Sequence, residues 1–545
     1  MRRWTRTFLR PVAYLAGRHA MRQVRGFLAA HQRTADVQDR LLAQMLRDHA
    51  ETDFGRDHGF ASIGNYDDFR RAVPIRTYEA LQPYIDRVLA GQTTALLPAG
   101  EQLEMFSRTS GTTGEPKHIP VTRRFLADLR RGWNIFGVNA LTDHPAGWLR
   151  AIVTISSSIR ETTSPAGTPC GAISGLLSAS QKRIVRRMYV APRGAEDIQD
   201  PAAKYYTILR CGVGRDVSMI TTANPSSTIK LIETGQAHAE RLCRDVADGT
   251  FCPPGDVPAE LARRVRCGPN PALARQIEAG IARDGELRPG HFWNVEVLCN
   301  WTGGTVGLYL PRLRELFGPV PIRDIGLVAS EGRLSIPLED ETPAGVAEIT
   351  ANVLEFVPAD QADRLDPTTR RAHELDVGAE YSIVLSNRAG LWRYHLDDRV
   401  RVTGHLGTSP VFEFLSRGAH TANITGEKIT EHQVVAAMAH AARQTGTALD
   451  RFTLQGRFAR VPYYQLRVEL PAGPPAQALA NALDRALGEL NIEYRAKRDS
   501  QRLGPVRAVS VEPGTFLQRE QDILRRRHGR GEQYKHTYLL TNVLK

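Results

Sequence analysis

The stretch FSRTSGTTGEPKHIPVT, residues 106–122, limits the fold more than any other part of the chain. It interleaves hydroxyl residues with Gly111 and Gly114, carries Lys117, and is apolar only near its borders. Glycines let backbone N–H groups approach an anion, hydroxyls add donors and a lysine adds charge, so the composition suits a phosphate cradle. A solvated turn would draw on the same residues. A Walker A loop requires GxxxxGK[ST]. Here Gly111 and Gly114 precede Lys117 by six and three residues, and His118 follows it. An ordinary P-loop nucleotidase is therefore disfavoured. Only eight of the 71 basic residues are lysine, so a lysine inside such a loop stands out from the arginine background.

Strand-like and helix-like stretches alternate around this loop. NYDDFRRAVPIRTYEALQPYIDRVLAG reads as a helix, a Pro-broken strand entry and a second helix stopped at Gly91. WLRAIVTISSS and DVSMITTANP read as strands ending in small polar residues, where ligands sit in open α/β sheets. PSSTIKLIETGQAHAERLCRDVADG reads as one capped helix, and PVPIRDIGLVASEGRLSIPL as strand, loop, strand. EYSIVLSNRAGLWRYHLDDRVRVTGHL reads as two strands around a Gly turn, then a polar-tipped turn and another strand. From residue 418 the texture changes. ITEHQVVAAMAHAARQTG is helical, RFTLQGRF and YYQLRVEL are strands, and PAQALANALDRALGELN is helical. The expectation is an α/β protein: a large multi-sheet domain over 1–417 and a smaller α+β unit over 418–545.

The bulk numbers fit such a chain. Its 545 residues, 42% hydrophobic and 24% charged, allow a large buried core. No run of about 18 apolar residues is present, so no membrane span is expected. The basic N-terminal stretch lacks the continuous apolar core of a secretory signal and reads as a cationic amphipathic surface helix. Cysteines at 170, 211, 243, 252, 267 and 299 form no CxxC pair and no zinc spacing, which fits reduced thiols in the cytoplasm. The net charge of +12 is spread among interspersed acids, so a phosphorylated small molecule is favoured over nucleic acid. The oligomeric state is not legible.

TSGTTGEPK resembles the phosphate-binding loop of the adenylate-forming superfamily, which includes acyl-CoA synthetases and luciferases. Three more stretches stand in the order that superfamily requires. LVASEG (327–332) resembles its second motif, where a small-residue turn meets adenine and a Glu helps hold magnesium. LWRYHLDDRV (391–400) resembles the motif whose Asp binds the ribose, with Asp397 where the family usually has Gly. FLSRGAHTANITGEKITEHQV (414–434) resembles the hinge and the start of a mobile C-terminal cap, with Ala419 at a usually polar hinge position. VPIRTYEALQPYIDRVLAGQ, GAEYSIVLSNRAGLWRY, EPGTF (512–516) and EQYKHT (532–537) narrow the resemblance to the Gretchen Hagen family of acyl acid amido synthetases, over about residues 60–540.

That resemblance implies ATP and Mg2+ as cofactors, with a small carboxylic acid and an amine, in this family an amino acid, as substrates. It implies Thr109, Ser110, Gly111, Thr112, Thr113, Gly114 and Lys117 on the triphosphate. Ala329 and Ser330 fall at the adenine, Glu331 on the metal, Asp398 and Arg417 on the ribose. Lys535 reaches back to the α-phosphate and the acid. The acid pocket is expected from 152–178 and 220–230, where strand ends meet Ser/Gly-rich loops. Two alternatives share the fold: transfer to coenzyme A, and a non-catalytic nucleotide-binding protein. A Ser-His-Asp hydrolase is excluded because neither SRTSG nor GAISG has the spacing of a nucleophile elbow. His118, His395 and His420 read as structural or solvated rather than catalytic.

Lys535 stands ten residues from the C-terminus, where a lysine is ordinarily solvated and dispensable. A cation on the transferring phosphoryl group in a water-poor site is worth roughly 10²–10³-fold in rate. Lys535→Ala should slow acid-dependent pyrophosphate exchange by that factor while equilibrium ATP binding persists. Unchanged exchange would remove the residue from the reaction.

Overall fold

The computed structural model describes residues 21–545 except 109–116, 182, 305–308, 363, 365, 419–420, 423, 426, 428, 460, 472, 500–502, 527–535 and 545. The chain forms two compact units. The first runs to Thr302 and adds Pro311–Leu396 and Val400–Phe414. The second comprises Gly303–Leu310, Asp397–Arg399 and the chain from Leu415 onward. Among the described residues no helix is long and apolar enough to cross a membrane.

The first unit holds three main sheets. In one, strands Ala151–Thr154, Val217–Thr222, Val297–Asn300 and Ile322–Asp324 lie side by side in chain order, each parallel to the next. Parallel neighbours need long crossovers, supplied here by helices such as Pro201–Val213 and Pro271–Asp284. Burial of every residue in Val297–Asn300 fits a sheet covered on both faces. In a second sheet, Leu103–Arg108 pairs antiparallel with His118–Thr122 and parallel with Pro169–Gly171. The third has seven strands in the order Ser335–Ile336, Gly345–Ala347, Ser409–Arg417, Tyr394–Leu406, Glu380–Ser386, Val353–Pro358 and Arg370–Arg371.

Two local expectations change. The strand, polar turn and strand read over 391–406 are one strand, Tyr394–Leu406. Asp397 within it takes φ 66°, a left-handed conformation that Asp tolerates, so the chain kinks without reversing. The single helix read after Pro225 is two, Pro225–Ala237 and Ala239–Asp248. Gly235 abuts Leu209 and Leu287, and the Gln236 amide donates to Glu286 and to the Leu287 carbonyl. These contacts hold the end of the first helix, and His238 leaves the helical region at φ −125°, ψ 31°.

The second unit has a four-stranded sheet in the order Arg507–Ser510, Tyr463–Val468, Phe452–Arg457 and Leu539–Leu544. The central pair is an antiparallel hairpin, and each outer strand is parallel to its neighbour. Helices Glu431–Thr445 and Pro474–Leu490 supply Val434, Met438, Leu479 and Leu483 to the same core as Leu454 and Leu466 of the hairpin. Thr430 and Gln433 form a capping box at the start of the first helix, and Gly446, at φ 65°, ends it. Ahead of it, the buried Glu427 carboxylate accepts from the amides of Ile424 and Thr425 at 2.8 Å and from the Tyr464 hydroxyl.

The core of the first unit centres on Trp392. Its fully buried ring meets His49, Phe54, Phe60 and Phe69, all from the N-terminal helical region. The next residue, Arg393, sits at φ 44° with its guanidinium buried on Glu355. Nε and Nη2 donate to the two carboxylate oxygens at 2.9 and 2.8 Å. Nη1 donates to the Val73 and Arg70 carbonyls, and Tyr66 and Thr369 donate to the same carboxylate. Removing one partner of a buried pair strands the other charge and costs about 3–5 kcal/mol. Glu355→Ala should lower unfolding free energy by that amount in urea titrations, and Glu355→Gln by less. A loss under about 1 kcal/mol would mean that water replaces the carboxylate.

Candidate active site

Two paired strands flank the glycine–hydroxyl stretch in sequence. Leu103–Arg108 and His118–Thr122 are antiparallel, with Arg108 opposite His118. Thr109, Ser110, Gly111, Thr112, Thr113 and Gly114 lie outside the described residues. Lys117, at the far base, is held by aromatic rings. Its ammonium lies 5.2 Å from the Tyr78 ring centroid and 6.0 Å from that of Tyr394, and Nζ donates to the Tyr394 hydroxyl at 3.5 Å. Such faces attract a cation without neutralising it. Tyr78 opens the helix Tyr78–Leu89, and its hydroxyl accepts from the His118 amide at 2.8 Å. One tyrosine thus fixes both the strand entry and the lysine beside it.

Ala329, Ser330 and Glu331 form the tip of a small hairpin. Val328–Ala329 pairs with Gly332–Arg333, leaving Ser330 and Glu331 as the two-residue turn. The turn is tied to its surroundings on both sides. Ser107 Oγ, from the strand that feeds the phosphate loop, donates to Ser330 Oγ at 2.9 Å. The Asn387 amide donates to the Glu331 carbonyl at 2.7 Å. The Glu331 side chain is 1% exposed, and its Oε1 has no hydrogen-bond partner among the described residues. A buried carboxylate oxygen left unsatisfied is expensive, and a bound cation removes that expense. No group of three or more His, Cys, Asp or Glu among the described residues is arranged to hold a metal.

The kink in Tyr394–Leu406 separates the two adjacent acids. Asp397 occupies the left-handed position that glycine would fill and is exposed, whereas Asp398 is 4% exposed. Arg417 ends the strand Ser409–Arg417, and its side chain lies outside the described residues. Lys535 also lies outside them, but the chain just beyond it is anchored within the second unit. His536 Nε2 donates to the Phe452 carbonyl at 2.7 Å. The Tyr538 and Leu539 amides donate to Glu431 at 2.6 and 3.2 Å, and Leu539 enters the sheet beside Leu454. Burial pushes His536 down to about 4, so its ring is neutral at physiological pH. The C-terminal segment is therefore a structural strand and not a solvated tail.

The segments expected to form the acid pocket are tightly built. Gly171 and Gly175 lie against the backbone of 157–159, where a Cβ would stand 2.6 Å from Ile159 C and 2.2 Å from Ser157 O, so only glycine fits. At the C-terminal end of the parallel sheet, Asn300 Nδ2 donates to Thr222 Oγ1 at 2.6 Å and to Thr228 Oγ1 at 3.1 Å. Its Oδ1 is buried without a partner among the described residues. Sequence reasoning assigned no role to Tyr78, Ser107, Asn387 or Tyr394. All four lie within or beside stretches that carried the family resemblance, but contacts between distant segments leave no periodic signal in a sequence.

Models of the three GH3 family domains match the chain in order: the N-terminal domain over residues 23–322, the central domain over 347–417 and the C-terminal domain over 432–543. Among relatives, a probable indole-3-acetic acid-amido synthetase GH3.1 of Oryza sativa subsp. japonica is 28% identical over 520 residues, 88% of this chain and 83% of the relative. A jasmonoyl–L-amino acid synthetase GH3.5 of the same plant is 23% identical, over 88% of each chain. The solved structure of the GH3.15 acyl acid amido synthetase superposes with a TM-score of 0.80 at 21% identity, covering 94% of this chain and 92% of that one, so the fold is shared. From residue 23 to residue 543, in sequence and in fold, the chain belongs to the GH3 family.

Proposed function

We propose that this chain is an ATP-dependent acyl acid amido synthetase, a ligase that adenylates a small carboxylic acid and passes the acyl group to an amine, in the first instance an amino acid. The observation that carries the reading is the buried Glu331 oxygen, without a partner among the described residues, on a turn tied to the strand that leads into residues 109–114, in a chain with all three GH3 domains.

A carboxylate is a poor acyl donor. Attack of its oxygen on the α-phosphorus of ATP forms a mixed anhydride with AMP, and the bond to pyrophosphate breaks. Charge builds on the α-phosphoryl oxygens and the leaving group, so catalysis is mainly positioning and electrostatics. Residues 109–114 and Lys117 hold the β- and γ-phosphates, with the Lys117 ammonium positioned by the Tyr78 and Tyr394 rings. Ala329 and Ser330 meet the adenine, and Asp398 and Arg417 the ribose hydroxyls. Glu331 holds Mg2+, which neutralises phosphate charge when bound. Lys535 stabilises the α-phosphoryl group. The amine nitrogen then attacks the acyl carbon, the bond to AMP breaks and an amide forms. That second step needs orientation and exclusion of water. A domain over 1–417 and a cap over 418–545 that moves between steps would let one site serve both. The acid is taken up by 152–178 and 220–230. Six unpaired cysteines and the absence of a spanning helix among the described residues support a cytoplasmic place for the reaction.

Purified enzyme should exchange labelled pyrophosphate into ATP only when a suitable acid is present, across a panel of aryl, fatty and jasmonate-like acids. With pooled amino acids, mass spectrometry should detect an amide. A coenzyme A thioester without amide would move the chain to a different ligase class, and no exchange with any acid would remove the adenylation reading. The two acids of the kinked strand give a sharper contrast. Asp398→Ala should weaken ATP binding by about tenfold or more, whereas Asp397→Gly, which suits the left-handed backbone, should leave it unchanged and raise stability by a few tenths of a kcal/mol. Calorimetric titration with ATP and thermal melts read both effects, and the reverse pattern would assign the ribose to Asp397.

A further inference from the structure

Asn387 follows the Glu380–Ser386 strand and is fully buried. Every polar group of its side chain is used. Nδ2 donates to the Glu331 carbonyl at 2.7 Å, and Oδ1 accepts from the amides of Ala389 and Leu391 at 2.9 and 3.2 Å. Its own backbone N–H donates to the Leu391 carbonyl at 2.9 Å. The 387–391 turn is thus closed on itself, and Gly390, at φ 87°, presses it against the backbone of Leu96. The orientation of the amide is fixed by its partners, since flipping it would set donor against donor and acceptor against acceptor. The turn leads directly into Trp392, Arg393 and Tyr394. One side chain therefore links the segment that carries Tyr394, and through it Lys117, to the turn that carries Glu331.

The hairpin bearing Glu331 has only two residue pairs of its own, Gly332 with Ala329 and Arg333 with Val328. Its geometry depends on outside clamps: Ser107 on Ser330, the Asn352 amide on the Arg333 carbonyl at 2.8 Å, and Asn387 on the Glu331 carbonyl. Of these, only the Asn387 contact acts on the peptide plane of Glu331 itself, which sets the direction of its Cα–Cβ bond. We infer that Asn387 is a positioning residue that aims the Glu331 carboxylate at the metal of MgATP and couples it to the Lys117 side of the site. The inference rests on the adenylation reading. Groups that orient a metal-binding carboxylate are typically worth about 10–100-fold in metal affinity or activity.

The test uses the full-length enzyme and calorimetric binding of ATP with and without Mg2+. Asn387→Asp keeps both acceptor contacts to Ala389 and Leu391 and replaces the donor to Glu331 with an oxygen. The gain in ATP affinity on adding Mg2+ should fall by about tenfold or more. Affinity for metal-free ATP should stay within about twofold, a split that a purely structural role would not produce. Asn387→Thr, which retains one O–H donor, should recover part of the gain. A folded Asn387→Asp enzyme with the full Mg2+-dependent gain overturns the inference and leaves the adenylation reading intact. If wild-type enzyme shows neither acid-dependent pyrophosphate exchange nor a Mg2+-dependent gain, the reading itself falls and the inference with it. Failure of both variants to fold, read by thermal melts, also overturns it by assigning Asn387 to the frame alone.

Discussion

The buried pair between Arg393 and Glu355 is the constraint on which the rest of the first unit depends. Arg393 lies at a left-handed φ that a branched-free long side chain adopts only under compulsion, and the compulsion is visible. Its guanidinium meets the Glu355 carboxylate of the strand Val353–Pro358 and the Arg70 and Val73 carbonyls at the end of the helix Tyr66–Ala72, and the same carboxylate accepts from Tyr66 and Thr369. Helix, sheet and turn therefore share one desolvated charge, whose loss from either side would leave the partner stranded. The residue before it, Trp392, fills the aromatic core, and the residue after it, Tyr394, faces Lys117. Core packing and site geometry are set by three consecutive positions.

Around the candidate site, several buried polar atoms, Glu331 Oε1 and Asn300 Oδ1 among them, have no hydrogen-bond partner among the described residues. The turn at 330–331 is hydrogen-bonded at Ser330 Oγ and at the Glu331 carbonyl, yet the buried Glu331 Oε1 has no partner among the described residues. Folding tolerates such a group where a ligand later satisfies it. Lys117 shows the complementary arrangement: two phenol rings hold the cation in place without cancelling its charge. An anion with its own cation would satisfy both, which is the electrostatic description of a magnesium-bound triphosphate.

The second unit places its last strand by the same economy. Glu431 begins a helix and accepts two amides of the terminal segment, and the His536 ring, kept neutral by burial, closes the contact to Phe452. A chain end that composition would leave in solvent is tied into a sheet.

Most of the element order was legible in the sequence, because helix and strand periodicities are local. The helices Glu431–Thr445 and Pro474–Leu490, the strands Phe452–Arg457 and Tyr463–Val468, and the strands Ala151–Thr154 and Val217–Thr222 that lead into polar residues all follow from spacing, glycines and caps within a few residues. The family was legible because TSGTTGEPK, LVASEG and LWRYHLDDRV are short strings that each resemble a motif of one superfamily. The kink at Asp397 was not legible: a pair of acids reads as a turn, and only the strands on either side keep Tyr394–Leu406 extended through a left-handed residue. Nor was the burial of Asp398 beside an exposed Asp397, which that kink decides. The contacts of Tyr78 with His118, Ser107 with Ser330 and Asn387 with Glu331 join residues 40, 223 and 56 positions apart. The sequence by itself determined which elements form and which ligand chemistry they suit, since both are written in neighbouring residues. Tertiary structure alone decided which side chains hold the site in shape, because hydrogen bonds and ring contacts between distant segments exist only once the chain has closed over them.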